Sequence, residues 1–394
     1  MARAAITRFS WFALRNRIFD GIRPRICRVP SFTLQGKSKT SQRSLRSSVF
    51  AEKSTMHYFS QLSYDQEPEY RFAGPTAYSQ VLDVARRTNA DVVFIETNRI
   101  FSKFLISKGF IVLPSIDFVL DITGSLDSIN SRMNRNKKRI LRKIDELEYD
   151  YETTQDMEKG LFFYNTMYLP YVRSRHSEST RELSFTDFKR HLQQGQLVLV
   201  KLKGDYVSGL LCVPNGEELR CLVLGVLDIQ KHMSDGAASA PLRFLISWSR
   251  QNGFKKIDYG STYPFLRDGV LLYKKTWGMW ARPLEEEDSR VFAIKFSDFR
   301  NAREFIAENP LIFSDSERLI GLVFSDSDIR EIYEEYYVPG LSGLIIYGSR
   351  ETIADESPMQ EGSKFTQSID TLMTMASKEG FMFRYLDCSK EIEQ

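Results

Sequence analysis

Short apolar runs alternate with amphipathic stretches along the chain, and this pattern predicts strands and helices in turn. Turn residues at Gly204-Asp205 and Asn215-Gly216 separate three consecutive predicted strands, which indicates an antiparallel array. The predicted strands span 57–62, 91–96, 116–121, 149–153, 196–202, 206–213, 219–227, 255–259, 319–324, 343–347 and 381–386. The predicted helices span 76–87, 100–107, 126–147, 156–167, 237–251, 301–308, 326–336 and 366–378.

This order predicts an α/β protein in which mixed, largely antiparallel sheets are flanked by helices. Changes in composition and pattern divide the chain into five segments. They are a basic N-terminal arm at 1–56, a first half-domain at 57–125, a basic connecting helix at 126–147, a second domain at 148–297 and an accessory α/β extension at 298–394.

Charge is unevenly distributed over the 394 residues, whose net charge is +3. Residues 1–50 carry eleven lysines or arginines and one acid, so this segment has a charge of +10, and subtracting it from +3 leaves −7 for the remainder. The arm, rather than the body, would therefore meet an anionic partner. Its arginine- and serine-rich composition is typical of an organellar targeting peptide. A helix docked on the domain and an arm that makes peripheral membrane contact are the alternatives.

The cysteines and histidines give no sign of a metal centre. Cys27, Cys212, Cys221 and Cys388 lack the C-x-x-C spacing of metal sites, and the four histidines are scattered. Four cysteines are also too few for a disulfide framework, which favours a reducing compartment. No apolar run approaches the roughly eighteen residues that a membrane helix needs, so we expect a soluble, cytoplasmic protein.

The segment 255–281 combines strand, turn, basic and aromatic signals. Its polar loop begins at Ser261, and the pair Lys274-Lys275 then precedes Trp277. Loops at strand ends often carry function, and an ammonium group beside large rings attracts an anionic or oxyanionic ligand more strongly than it would in water. Asp258 either orients or accepts a proton, or caps the strand end. The alternative for the segment is a solvated lysine pair and a tryptophan that fills the core.

The predicted helix at 126–147 is strongly basic. An apolar stripe predicts that one face packs on the domain. The cations crowd the other faces and comprise Arg132, Arg135, Lys137, Lys138, Arg139, Arg142 and Lys143. Such a surface suits a phosphate-bearing substrate such as a nucleotide sugar, CoA or tRNA, whereas an ordinary solvated helix is the alternative.

The order of motifs in the segment 255–281 resembles the C-terminal signature of the Fem-like branch of the GNAT acyltransferase superfamily, also called the BioF2-like acetyltransferase domain. The motifs are DYG, a loop, an aromatic residue followed by lysine at Tyr273-Lys274, and the pair Trp277-Gly278. The resemblance extends upstream to about residue 90, roughly half of the chain. It implies tandem GNAT-like halves, of which the first is truncated. It also implies that Lys274 stabilises an oxyanion while Tyr273 shapes the site.

The resemblance suggests an acceptor site as well. Phenols and guanidinium groups bind sugar hydroxyls, carboxylates or phosphates, and the cluster around Pro170 also resembles a tyrosine-proline-tyrosine-arginine segment of the family. In the basic helix, Arg135 and Lys138 are the counterparts of a serine-arginine-asparagine-lysine pattern. The acceptor-site residues are Tyr168, Tyr171, Arg175 and His176, to which Arg135, Lys138, Ser261 and Trp277 are added.

A helix that begins near Ala237 suggests where CoA would bind. Free backbone N–H groups at a helix entry suit a pyrophosphate, and GNAT enzymes cradle CoA at this position. The candidates are Gln230, Ser234, Gly236, Ala237 and Ala238. A simple N-cap by Ser234 or Asp235 explains the same residues.

Together these observations predict an acyltransferase that moves an acyl group from acyl-CoA, a co-substrate rather than a bound cofactor, to an amine or hydroxyl. The acceptor would be an anionic or sugar-like cell-envelope, polysaccharide or peptide precursor. An aminoacyl-tRNA-dependent peptidyltransferase of the Fem type is one alternative, although no heptad stretch supplies that family's coiled-coil arm. A non-catalytic protein that binds nucleotide sugars or a membrane surface is the other.

Overall fold

The computed structural model describes residues 28–39, 41–98, 102, 109–175, 182–283, 290–297, 299–315, 318–325, 327, 329–348 and 382–387. The strands in these ranges are β1 (Arg28–Lys37), β2 (Ser44–Phe50), β3 (Glu69–Ala77), β4 (Val92–Asn98), β5 (Phe110–Val112), β6 (Ile116–Asp121), β7 (Asp150–Thr154), β8 (Gln196–Leu202), β9 (Asp205–Asn215), β10 (Glu218–Val226), β11 (Lys256–Thr262), β12 (Trp280–Pro283), β13 (Arg290–Phe296), β14 (Leu311–Asp315), β15 (Arg318–Phe324), β16 (Gly343–Gly348) and β17 (Met382–Asp387).

The α-helices are α1 (Lys53–Ser63), α2 (Val81–Arg87), α3 (Leu126–Ser131), α4 (Arg135–Glu146), α5 (Met157–Phe163), α6 (Leu169–Arg175), α7 (Phe185–Gln194), α8 (Ile229–His232), α9 (Ala240–Gln251), α10 (Gly269–Thr276), α11 (Phe299–Glu308) and α12 (Ile329–Tyr336). A π-helical segment, Tyr164–Tyr168, joins α5 to α6, and short 3-10 turns lie at Tyr78–Gln80 and Met233–Asp235. None of the helices that the structure describes has the length and apolar character needed to cross a membrane. The predicted α/β class with mixed sheets is confirmed.

The first sheet has six strands in the order β3-β1-β2-β4-β13-β5. Strands β1 and β2 come from the segment that composition assigned to the basic N-terminal arm, so Arg28–Lys37 and Ser44–Phe50 are part of this sheet. Composition was misleading there because the buried side chains of β1, including Val29, Phe32 and Leu34, are spaced among polar residues. The targeting and membrane-contact hypotheses concern residues 1–27, which lie outside the described ranges, and they stay predictions.

Helix α1 replaces the strand predicted at 57–62. Its buried residues are Met56, Phe59, Ser60 and Ser63, and their spacing of three and four positions belongs to a helix. Phe59 stacks on Phe94 of β4 with ring centroids 4.2 Å apart. The weak alternation of the sequence was therefore overridden by packing of one helical face on the sheet.

The second sheet has seven strands in the order β12-β6-β11-β10-β9-β8-β7. The predicted hairpin at 196–202 and 206–213 is confirmed as β8 and β9, joined by a turn in which Lys203 and Gly204 have φ of 54° and 90°. All neighbouring strands are antiparallel except β10 and β11, which are parallel and connected through α9. A parallel pair needs such a crossover connection, and α9 packs against β8 and β9 of this sheet.

The strands cross two of the predicted segment boundaries. β6 was assigned to the first half-domain, but it lies between β11 and β12 in the second sheet. β13 was assigned to the second domain, but it pairs with β4 and β5 in the first sheet. Sequence order alone does not determine which sheet a strand joins, because strand pairing is a long-range choice.

The predicted helix at 126–147 is two helices, α3 and α4, each with its own N-cap. The Asn134 side chain accepts a hydrogen bond from the Lys137 backbone N–H at 2.8 Å, which starts α4. The Asn134 backbone N–H donates to the Thr276 carbonyl at the end of α10 at 3.1 Å. The link between α3 and α4 is thereby attached to the helix that carries Tyr273 and Lys274.

The C-terminal extension forms a third sheet in the order β14-β15-β16-β17. Ile312, Leu319 and Val323 join the same apolar core as the second sheet. The Lys275 ammonium donates to the carbonyl oxygens of Glu334 and Glu335 at 3.1 and 2.6 Å. The extension therefore packs on the second sheet and α10. The predicted helix at 366–378 and most of that at 100–107 lie outside the described residues.

Candidate functional site

Strands β10 and β11 run together for three residue pairs and then separate. Their ladder joins Glu218 to Lys256, Leu219 to Ile257 and Arg220 to Asp258. Both strands are described in full, and beyond these pairs β10 continues to Val226 and β11 to Thr262 without pairing to each other. We call the region between 221–226 and 259–262 the β10–β11 divergence. Parallel strands that separate leave backbone N–H and C=O groups on facing edges without a ladder partner.

Bulges in both strands accompany the divergence. The register of β10 against β9 shifts between Cys221 and Val223, and that of β11 against β6 shifts between Asp258 and Ser261. Gly260, inside the second bulge, has a φ of 73°, a conformation that glycine adopts readily. The strand at 256–262 is therefore longer than the predicted 255–259, and Ser261 lies within it, exposed at its surface.

Lys274 lies on helix α10. Asp268 caps this helix, its Oδ1 accepting from the backbone N–H groups of Val270 and Leu271 at 3.0 and 2.9 Å. The Lys274 side chain is 1 % exposed, and its Nζ donates to the carbonyl oxygens of Gly260 and Ser261 at 2.7 and 2.8 Å. The helix thus brings a buried ammonium group to the bulge of β11.

Burial lowers the pKa of Lys274 to about 8, although the nearby carboxylates of Asp117, Asp258 and Asp268 oppose this change. A group with this pKa is about nine-tenths protonated at pH 7. Lys274 is therefore mostly a cation at neutral pH, in a buried environment that includes the ring of Phe118. Such an environment strengthens its attraction for negative charge.

Asp258 is held in place by the bulge and by two arginines. Its Oδ1 accepts from the Gly260 N–H at 2.8 Å, and its Oδ2 lies 3.6 Å from Arg220 Nε and 3.7 Å from Arg282 Nη2. Arg282 also forms a two-pronged pair with Glu218, with both distances 2.9 Å. This geometry suits an orienting carboxylate. The role of proton acceptor stays a prediction for Asp258.

Asp117 is a carboxylate that sequence reasoning missed. It lies on β6, opposite Ser261 on one side and Arg282 on the other, and is 5 % exposed. Its Oδ1 is buried and makes no hydrogen bond among the described residues. Burial, with a smaller contribution from Asp258, raises the pKa of Asp117 to about 6. The signal that could have found it is an aspartate between the apolar residues Ile116 and Phe118 in the strand IDFVLD.

Lys137 was counted only among the cations of the basic helix, but the structure turns it inward. It lies four residues after the buried Met133 and four before the buried Leu141, a spacing that could have placed it on the apolar stripe. Its Nζ donates to Ser239 Oγ at 2.9 Å and lies 4.5 Å from the ring centroids of Tyr273 and Trp277. Trp277 is fully buried, as the core-filling alternative expected.

Tyr171, Tyr259 and Tyr273 come together beside the divergence from three different elements. Tyr171 lies on α6, which packs against β10. It is close enough to contribute to the raised pKa of both Tyr259 and Tyr273. The Tyr259 and Tyr273 rings have centroids 6.1 Å apart, and the Tyr273 hydroxyl donates to the Ala238 carbonyl at 3.3 Å. Burial raises the pKa of Tyr273, so this phenol is neutral at physiological pH.

The remaining acceptor candidates are placed differently. Tyr168 is buried in the π-helical segment, and its hydroxyl accepts from the Leu183 N–H at 2.7 Å, so it holds the residues just before α7. Arg135 is exposed on α4, and Lys138 Nζ donates to the Ser131 carbonyl at 3.1 Å. The side chain of Arg175 and the whole of His176 lie outside the described part of the chain.

The predicted CoA cradle is mostly packed inside the protein. Helix α9 begins at Ala240 rather than near Ala237, because Gly236 has a left-handed φ of 87° and Pro241 follows in the first turn. Gly236, Ala237 and Ala238 are buried, and a Cβ atom at Gly236 would lie 3.0 to 3.2 Å from side-chain atoms of Ile140 and Ile144. The small residues therefore let α4 approach closely.

The polar members of the cradle are on the surface. Gln230 and Ser234 are exposed, and neither Ser234 nor Asp235 caps α9, whose N-cap is Ser239. Asp235 instead pairs with Lys143 at 2.9 Å. CoA binding by these residues stays a prediction. No group of three or more His, Cys, Asp or Glu side chains placed to hold a metal ion occurs among the described residues.

Comparison with known proteins finds likeness in solved structures. No profile of a known protein family matches the chain, and no curated protein matches its sequence. FemX is similar at a TM-score of 0.38 and 13 % identity, over 66 % of this chain and 83 % of FemX. L-PGS from Bacillus licheniformis is similar at a TM-score of 0.35 and 11 % identity, over 70 % of this chain and 88 % of L-PGS.

A third similar structure is a conserved protein from Enterococcus faecalis that is named as a probable N-acyltransferase. Its TM-score is 0.29 and its identity 11 %, over 75 % of this chain and 65 % of that protein.

Proposed function

We propose that this protein is an acyltransferase that moves an acyl group from a thioester to an amine or hydroxyl. The observation that carries the proposal is the buried ammonium group of Lys274 at the β11 bulge, where β10 and β11 separate. Acyl transfer requires two substrates held in line and a positive or dipolar group beside the carbonyl oxygen that becomes negative.

The backbone of the divergence supports a thioester donor. An extended ligand can add to an exposed strand edge through main-chain hydrogen bonds. The pantetheine arm of acyl-CoA is extended and carries amide groups that match such an edge. The edge of β10 at 221–226 therefore suits this donor, with its thioester near the β11 bulge.

Lys274 has one N–H group left to stabilise the oxyanion. An ammonium group has three N–H donors, and the carbonyls of Gly260 and Ser261 take two of them. The carbonyls also fix the position of the charge before the reaction begins. A charge that is already oriented needs no rearrangement when the oxyanion forms.

Asp117 is our candidate for the general base. A base works best when its pKa lies near the operating pH, and burial has moved the pKa of Asp117 to about 6. Its unbonded Oδ1 could receive the proton that the amine or hydroxyl loses when it attacks the thioester carbonyl. In this scheme Asp258 orients the bulge, and Tyr273 borders the site.

Transfer of acetyl, propionyl and longer acyl groups from CoA to amine acceptors tests the proposal, with the released thiol measured by a colorimetric reagent. We predict that Lys274→Ala lowers turnover by about a hundredfold or more while the protein remains folded. Lys275→Ala is the matched control on the same helix, since Lys275 faces the C-terminal extension. Near-normal turnover of folded Lys274→Ala would refute the assignment.

An aminoacyl-tRNA donor is the second candidate, and the surface of α4 favours it. Arg135, Arg139 and Arg142 are exposed on successive turns of this helix and form no ion pairs among the described residues. Such a stripe can contact successive phosphates, and the binding would weaken steeply with salt. Loss of activity after RNase treatment would identify this donor, and unchanged activity would exclude it. Tight binding of a nucleotide sugar without any transfer would favour the non-catalytic alternative.

A further inference from the structure

Lys137 is the buried cation of an otherwise exposed basic helix. It is 3 % exposed, whereas Arg135, Arg139 and Arg142 of the same helix face solvent. Its ammonium lies between the rings of Tyr273 and Trp277, which meet at an interplanar angle of 67°. Aromatic faces attract a cation, but they supply no full negative charge.

No carboxylate compensates the charge of Lys137 among the described residues. Burial lowers the pKa of Lys137 to about 8, and no other cause contributes to this change. Lys274 and Lys275 also have pKa values lowered to about 8, but Asp117 and Glu335 respectively oppose those changes. Of these three lysines, Lys137 is therefore the one without a nearby anion. A buried charge without a counter-charge is costly.

Hydrogen-bond donors outnumber acceptors around this ammonium. Lys137 has three N–H groups and one hydrogen-bonded acceptor, Ser239 Oγ. Trp277 Nε1 and the Tyr259 hydroxyl are buried, and the Tyr273 hydroxyl is the polar group that interacts with both of them. A buried donor without an acceptor destabilises the folded protein. An acceptor that reached this space would satisfy N–H groups of Lys137 that Ser239 does not.

The surroundings of Lys137 border the β10–β11 divergence. We call Lys137, Ser239, Tyr259, Tyr273 and Trp277 the Lys137 box. Tyr259 and Tyr273 are residues of intermediate exposure, whereas Lys137, Ser239 and Trp277 are buried, so the two tyrosines form the outer edge of the box. Tyr259 directly follows the last paired residue of β11, which places this edge at the start of the divergence.

We propose that the Lys137 box binds a carboxylate of the molecule that accepts the acyl group. One ammonium group with neutral N–H and O–H donors matches a single negative charge, whereas a phosphate is usually bound by several cations or by arginine. The identification of this molecule as the acyl acceptor rests on the proposed function, but binding of its carboxylate does not require acyl transfer. A single amino acid and a peptide C-terminus both supply this group.

NMR titration of protein labelled with 13C-lysine tests the proposal directly, with the Lys137 Cε signal assigned by its loss in Lys137→Arg. The probes are N-acetylglycine, N-acetyldiglycine, the neutral N-acetylglycinamide, and inorganic phosphate. A bound carboxylate favours the charged ammonium, so the titration midpoint of Lys137 should rise by about one pH unit, a tenfold preference. The neutral amide should leave it unchanged. A larger effect of N-acetyldiglycine than of N-acetylglycine would identify a peptide terminus.

Two results would overturn the proposal. A midpoint that no probe moves would make Lys137 a purely structural lysine, and a larger effect of phosphate would contradict the carboxylate assignment. Lys137→Met should weaken N-acetylglycine binding at least about tenfold, with Lys275→Met as the unaffected control. If Lys137→Met does not fold, the wild-type titration decides.

The two proposals can fail separately. A midpoint that carboxylates raise, without any acyl transfer, would refute the proposed function and leave this site intact. Acyl transfer without a midpoint that carboxylates raise would refute this site and leave the proposed function intact.

Discussion

Replacement of Lys274 by methionine removes a buried charge and two hydrogen bonds, and these changes affect stability in opposite directions. The pKa of Lys274 falls from 10.5 to about 8 on folding. At 1.36 kcal/mol per pH unit, retaining the charge costs about 3 kcal/mol at neutral pH. Methionine avoids that cost but leaves the Gly260 and Ser261 carbonyls without their donor, at about 1–3 kcal/mol each. At pH 7 the free energy of unfolding should therefore change by no more than about 3 kcal/mol.

The pH dependence gives the sharper test. Between pH 8 and 10.5 the unfolded wild type holds the Lys274 proton more firmly than the folded protein does, so this lysine makes wild-type stability rise with pH. The wild type should therefore gain about 3 kcal/mol over Lys274→Met across this window. Other titrating groups are common to both proteins, and they cancel in the difference.

Urea denaturation at pH 7, 8, 9 and 10 measures the two free energies of unfolding, with circular dichroism as the signal. Lys189→Met, which replaces an exposed lysine of α7, is the control and should run parallel to the wild type. Parallel curves for Lys274→Met would mean that its ammonium is not buried at the bulge. The proposed oxyanion role would then lose its structural basis.

Further predictions follow from single residues. Gly278→Ala should destabilise the protein by at least about 2 kcal/mol, because φ is 67° and the new Cβ would lie 2.6 Å from the Arg132 carbonyl oxygen. Gly253→Ala, where φ is 81° and the new Cβ would meet no atom within 4 Å, should destabilise the protein by only about 1 kcal/mol. Equal melting temperatures of the two variants would contradict the expected clash at Gly278. The pKa of Asp117 is about 6 in the folded protein and 3.8 in the unfolded chain, so this group makes the wild type less stable as the pH rises from 4 to 6. Asp117→Asn lacks the titrating group, so the fall in its free energy of unfolding over this range should be smaller by about 2 to 3 kcal/mol. Denaturation at those two pH values checks this, and the same variant should lose activity if Asp117 is the base.

The local elements were the part of the fold that could be predicted. The strands at 196–202, 319–324 and 343–347 were found within one residue at each end, because compact or alternating apolar runs with turn residues between them encode strands locally. The prediction of a strand at 57–62 was wrong, since six residues of weak alternation do not distinguish a strand from the buried face of a helix.

The candidate site was predicted only where its residues are close in sequence. Tyr273, Lys274 and Trp277 were identified, because one short motif contains them. Asp117 is separated from them by more than 140 positions and reaches Lys274 only because β6 pairs with β11. The Lys137 box likewise joins residues from four separated segments.

The sequence by itself determined the α/β class, the hairpins and the basic character of α4, because propensity, apolar period and turn chemistry act over a few neighbouring residues. Tertiary structure decided which strands share a sheet, where β10 and β11 separate, and which of the many lysines are buried. Those features depend on contacts between distant segments, and burial changes what a lysine does: Lys137 and Lys274 hold charge inside the protein with pKa values near 8, whereas the arginines of α4 remain in water.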